Sequence, residues 1–200
     1  MLAAMLGVAP ALGARSRCAA SGRVVVRSSR VEVYTRQVNA GGGGPHQDTF
    51  ACRVSTKRSL AFSLPSIPDI EVPRPTVKIS GLFAAAYVIE GTGKSVGYSV
   101  RVIDLHPSRP RLGFNGTASK SDFGNRVPNL VLNSHGAVAW ILQPLKSNGK
   151  SGPYEVRGAG TNHAPRLFDS STRIDKRSLR LTGSTLTWSD AGRTRSASLT

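Results

Sequence analysis

Residues 129–142 read NLVLNSHGAVAWIL. Two apolar runs, one in NLVLN and one in GAVAWIL, are separated by Ser134-His135-Gly136, small or turn-forming residues. Short runs rich in β-branched and aromatic residues on either side of such a cluster predict a β-hairpin. The second run shows no alternation of apolar with polar residues. A strand with one wet face would alternate, so this one is expected to be covered on both sides.

The pattern recurs along the chain. RVVVR precedes RVEVYTR, TVKIS precedes FAAAYVIE, and SLRLTG precedes STLTWSDAG, with Ser28-Ser29, Ser80-Gly81 and Gly183-Ser184 in the turn positions. The second run of each pair carries one large aromatic residue, Tyr34, Tyr87, Trp140 or Trp188, at spacings of 53, 53 and 48 residues. A third run follows in every case (FACRVS, YSVRVIDL, YEVRG, RSASL), and a fourth in the first three (SLAFSL, PRLGFN, PRLFDS). The predicted units are about 15–64, 76–116, 127–170 and 174–200, with four strands in three of them and three in the last. Four-stranded units of about 50 residues are characteristic of propeller blades. A single all-β, propeller-like domain is therefore expected, with a β-sandwich or an open partial propeller as the alternative. The four aromatics are expected at equivalent, buried positions between neighbouring sheets, where large rings supply contact area.

The repeat also decides how GTGKSVG, residues 91–97, is to be read. Its letters allow a phosphate-binding loop or a hydrolase nucleophile elbow, but each of those needs a helix directly after the glycines. YSVRVIDL follows instead, and it has the composition of a strand. GKSVGYSVR also aligns without a gap on GKSGPYEVR at 149–157, so the stretch belongs to the repeat and predicts a hairpin loop. Asp104, at the end of that strand, is expected to accept turn amide protons.

Composition narrows the class further. Two hundred residues with 39% hydrophobic content, 21 Gly and 12 Pro suit one domain of short strands and turns. The first 14 residues, MLAAMLGVAPALGA, are too short to cross a bilayer and resemble the apolar core of a secretory signal. No later run is long enough for a transmembrane helix. On an exported chain the two cysteines, Cys18 and Cys52, are expected to pair. Residues 15–21 could add one strand to the last unit and so close the ring. PSIPDIEVPRP, residues 65–75, reads as an extended connector between the first two units.

Lys and Arg number 27 against 11 acidic residues, a net charge of +16, and 20 of the 27 are Arg. A surplus of this size attracts polyanions. The charges run from Arg15 to Arg195 without a block, however, and Arg-rich, Ala-rich composition also fits a GC-rich genome. The four histidines, His46, His106, His135 and His163, stand beside loop-forming residues at no metal-ligand spacing. No catalytic residue, cofactor or metal site is predicted.

The third and fourth units, NLVLNSHGAVAWI…YEVR and LFDSSTRIDKRSLRLTGSTLTWSDAGRTRSASL, carry a resemblance to the secreted β-propeller-like repeat proteins of high-GC actinobacteria. It implies export and a whole or partial propeller, and it implies no activity. The expected function is a secreted or envelope-associated binding or scaffold module with a protein or envelope-polymer partner. The alternative is a binder of anionic polymers, polysaccharide before nucleic acid, through dispersed arginines. A hydrolase or lyase acting on polysaccharide ranks third.

Overall fold

A computed structural model describes residues 18, 22–39, 45–62, 76–92, 95–106, 111–118, 125–145, 150–161 and 163–199. The expected signal segment 1–14, the connector 65–75 and, apart from Cys18, the expected closing strand 15–21 lie outside these residues.

Fifteen strands are described, and they form four antiparallel sheets in chain order. The first holds β1 (Arg23–Arg27), β2 (Val31–Asn39), β3 (Pro45–Arg53) and β4 (Arg58–Ala61). The second holds β5 (Val77–Ser80), β6 (Phe83–Thr92), β7 (Ser95–Asp104) and β8 (Arg111–Ala118). The third holds β9 (Asn125–Leu132), β10 (Val138–Pro144), β11 (Tyr154–Ala159) and β12 (Arg166–Ser171). The fourth has three described strands, β13 (Arg180–Thr182), β14 (Thr185–Asp190) and β15 (Arg193–Ser198). Each strand pairs with the next in sequence, so every sheet is a simple meander. The first strands of consecutive sheets lie side by side, β1 by β5, β5 by β9 and β9 by β13. The result is an open, propeller-like array.

Local chemistry sets the first turn of each sheet. Ser28 Oγ accepts from the Val31 amide at 3.0 Å, and Asn133 Oδ1 accepts from the His135 and Ala137 amides at 3.0 and 2.9 Å. These side chains stand in for backbone acceptors where the chain reverses. In the second and fourth sheets the turn is only two residues long, and Gly81 and Gly183 take φ of +60° and +57°. A tight turn with positive φ suits glycine, which has no Cβ to clash.

Among the described residues the core consists of three apolar layers, one between each pair of neighbouring sheets, and alternation along the middle strands feeds two layers at once. In β6, Ala84, Ala86 and Val88 pack toward Val31 and Val33 of the first sheet, while Phe83, Ala85 and Tyr87 pack toward the third. In β10, Val138, Trp140 and Leu142 face the second sheet, while Ala137, its neighbour in the preceding turn, and Ala139 and Ile141 face Leu186 and Trp188 of the fourth. Burial on both faces is the physical reason that AVAWIL lacks a polar residue at every second position.

The two outermost sheets end the array differently. The outward face of the fourth presents Thr185, Thr187 and Ser189 on β14, paired across to Ser198, Ser196 and Thr194 on β15. Those hydroxyls suit contact with water. On the first sheet the corresponding face carries Glu32 and Tyr34 opposite Cys52 and Phe50. Here Cys18 is joined to Cys52 by a disulfide, and the Tyr34 and Phe50 rings stack with centroids 5.4 Å apart.

Candidate anion-binding recess

The structure places the four sequence-predicted aromatics on the second strand of their sheets, at relative exposures of 2% for Tyr34, 9% for Tyr87, 0% for Trp140 and 5% for Trp188. They share the strand but not the face. Trp140 and Trp188 look toward the preceding sheet, whereas Tyr87 looks toward the following one and enters the same layer as Trp140. The equivalence expected from the 53-residue spacing is corrected here, because one residue along a strand reverses the side chain's direction.

The glycine-rich stretch has the strand context the repeat demands. Thr92 pairs with Ser95, and β7 runs on from Ser95 as a strand, so the helix needed by a P-loop or a nucleophile elbow does not follow. Gly93 and Lys94 lie outside the described residues. Asp104 Oδ1 accepts from the His106 amide at 2.9 Å and also meets the His106 ring. His106, His135 and His163 are exposed beyond strand ends, while His46 departs from the loop expectation by pairing with Val38 within β3. Among the described residues no group of three His, Cys, Asp or Glu side chains gathers at metal-binding separation. No helix among them is long and apolar enough to cross a membrane.

Charge, in contrast, converges at a place that lies between distant parts of the chain. The β14–β15 turn has Ala191 and Gly192 at φ +50° and +77° between the paired residues Asp190 and Arg193. Two successive positive φ values make the tight turn that matches the twist of a hairpin. The connector from the third sheet runs alongside it. Ile174 bridges to Asp190 and is buried in the third layer, the Ala191 amide donates to the Arg173 carbonyl at 3.1 Å, and the Asp175 amide donates to the Ser189 carbonyl at 2.9 Å.

This brings Arg173 against Arg193 and Arg195, around a recess of about 280 Å³ also lined by Asp190 and Ala191. Asp190 is 7% exposed. Its Oδ2 lies 3.9 Å from Arg195 Nη2, and its Oδ1 is buried without a hydrogen-bond partner. Three arginines and one carboxylate line the recess, so it carries a net positive charge in a concave setting that concentrates field. Lys176, Arg177 and Arg180 are exposed on the same connector and sheet. Residues 171–199 thus hold six cations against two acids, Asp175 and Asp190. Arg173 and Arg193 are 20 residues apart in the chain, and the only local signal was the turn residues Ala191-Gly192.

An arrangement of this kind can hold an anion. Arginine offers planar, permanently charged donors that match carboxylate, sulfate and phosphate groups. In comparisons with known proteins, no family model matches the chain, and neither does any curated protein or solved structure.

Proposed function

We propose that the protein is an extracytoplasmic binding module that holds the anionic groups of an envelope polysaccharide at the end of its fourth sheet. The carrying observation is the recess of Arg173, Arg193 and Arg195. Export is supported by the apolar segment at 1–14 and by the Cys18–Cys52 disulfide, a bond that persists in oxidising compartments. Polysaccharide is preferred to single-stranded nucleic acid because base recognition relies on exposed aromatic platforms. Tyr34, Tyr87, Trp140 and Trp188 are instead buried between or against sheets.

Retention on immobilised heparin and polygalacturonate, eluted with a salt gradient, tests the proposal. The triple variant Arg173→Gln, Arg193→Gln, Arg195→Gln should elute at markedly lower salt than a control triple that removes the same charge from the exposed Arg23, Arg58 and Arg126. Equal shifts for both triples would mean that net charge alone causes retention, and the recess would lose its role. Tighter retention on single-stranded DNA than on either polysaccharide would replace the polymer class.

A further inference from the structure

A second recess lies at the opposite end of the strands, where the β1–β2, β3–β4 and β5–β6 turns meet. It has a volume of about 280 Å³ and is lined by Ser29, Arg30, Arg53, Ser55 and Leu82. Among the described residues no carboxylate lines it, which sets it apart from the recess on the fourth sheet. Arg53 is the last residue of β3, and its Nε donates to Ser55 Oγ at 3.0 Å. Its Nη1 is buried and has no hydrogen-bond partner. A guanidinium N–H withdrawn from water without an acceptor is costly.

We infer that this recess is a second, separate site, built for one tetrahedral oxyanion, a phosphate or sulfate group. Two guanidinium groups and two hydroxyls supply four donor groups, which the several oxygens of a phosphate or sulfate group can engage from different sides. This site does not depend on the fourth-sheet reading.

The disulfide supports the site. Cys52 immediately precedes Arg53, and the sulfurs of Cys18 and Cys52 lie 3.9 and 3.6 Å from the Arg53 carbonyl. That same carbonyl accepts from the Lys57 amide at 2.8 Å and closes the β3–β4 turn, while the Val54 amide donates to the Arg30 carbonyl at 2.9 Å and ties the two turns together. The covalent bond therefore holds the backbone from which both arginines project. Oxyanion affinity is expected to fall when it is reduced.

The test titrates the oxidised full-length chain with inorganic phosphate and, separately, with glycerol 2-phosphate, following the arginine Nε–H signals by NMR and the heat by calorimetry. Phosphate should shift the Arg53 signal saturably. Arg53→Gln and Ser55→Ala should each weaken binding about tenfold or more, since a hydrogen bond to a charged group is at stake. Arg193→Gln/Arg195→Gln should leave that binding within about twofold, which separates this site from the recess on the fourth sheet. Reduction of the disulfide should weaken phosphate binding while Ser55→Ala, which keeps the bond, reports the site in an intact fold. Glycerol 2-phosphate bound as well as phosphate identifies a monoester on a larger molecule as the source, and preference for phosphate identifies the free ion; either upholds the site. Unchanged binding in Arg53→Gln, or equal binding of acetate, would overturn it.

Discussion

Trp188 Nε1 donates a 2.7 Å hydrogen bond to Asp169 Oδ2, linking the middle strand of the fourth sheet to the last strand of the third. The other Asp169 oxygen accepts from the Ser170 amide at 2.8 Å. The carboxylate is thus committed on both sides, and the indole adds a directional tie to an otherwise apolar layer. Trp188→Phe should lower unfolding free energy by about 2–3 kcal/mol, the range for a hydrogen bond to a charged group plus some lost ring volume. Urea denaturation of this variant, of Asp169→Asn and of the double variant gives a cycle. Simple additivity would show that the two residues are not coupled.

Two turn glycines should respond differently to the same change. Gly183 has a positive φ with nothing within 4 Å of where a Cβ would stand, so Gly183→Ala should cost about 1 kcal/mol of backbone strain. At Gly136 a Cβ would approach Phe83 Cε1 to 2.7 Å, and φ is +87°. Gly136→Ala should therefore destabilise distinctly more, and thermal melts of the two variants side by side compare them directly. A cost at Gly136 no greater than at Gly183 would contradict the close contact with Phe83.

Trp140 is fully buried in the layer between the second and third sheets. Its truncation in Trp140→Ala should remove about 3–5 kcal/mol, because a layer held from both sides collapses poorly around the vacated volume. Equilibrium denaturation measures this loss. A cost below about 1 kcal/mol would place the ring at a surface rather than in the core.

The Cys18–Cys52 bond spans 34 residues of sequence. On a chain-entropy basis a loop of that size contributes about 4 kcal/mol through the unfolded state. Cys18→Ser/Cys52→Ser, or the wild type in reducing buffer, should melt at clearly lower temperature than the oxidised protein. Identical melting curves would show that the bond constrains nothing that unfolding releases.

Much of this architecture was legible because strands and turns are written locally. Gly136 and Gly183 mark reversals through positive φ, a property of single residues and their neighbours, whereas Asn133, whose side chain caps its turn, reads from the sequence as part of the strand. The reading of residues 91–97 as part of a hairpin needed only the strand character of the residues after it. His46 was misplaced because Pro45 and the glycines before it resemble a loop, although β3 begins at Pro45. Proline is compatible with the first position of a strand.

From the sequence alone came the all-β class, the four successive meanders and the cysteine pair, all consequences of local backbone preference and composition. The tertiary structure decided which face each middle-strand residue presents. Where a strand is buried on both sides, as in β6 and β10, the alternation that would reveal its facing is absent from the sequence. It also decided where charge collects. Arg173 meets Arg193 and Arg195, and Arg30 meets Arg53, only because hydrogen bonds between separate turns bring their backbones together. Such meetings depend on packing at long range, and no pattern along the chain encodes them.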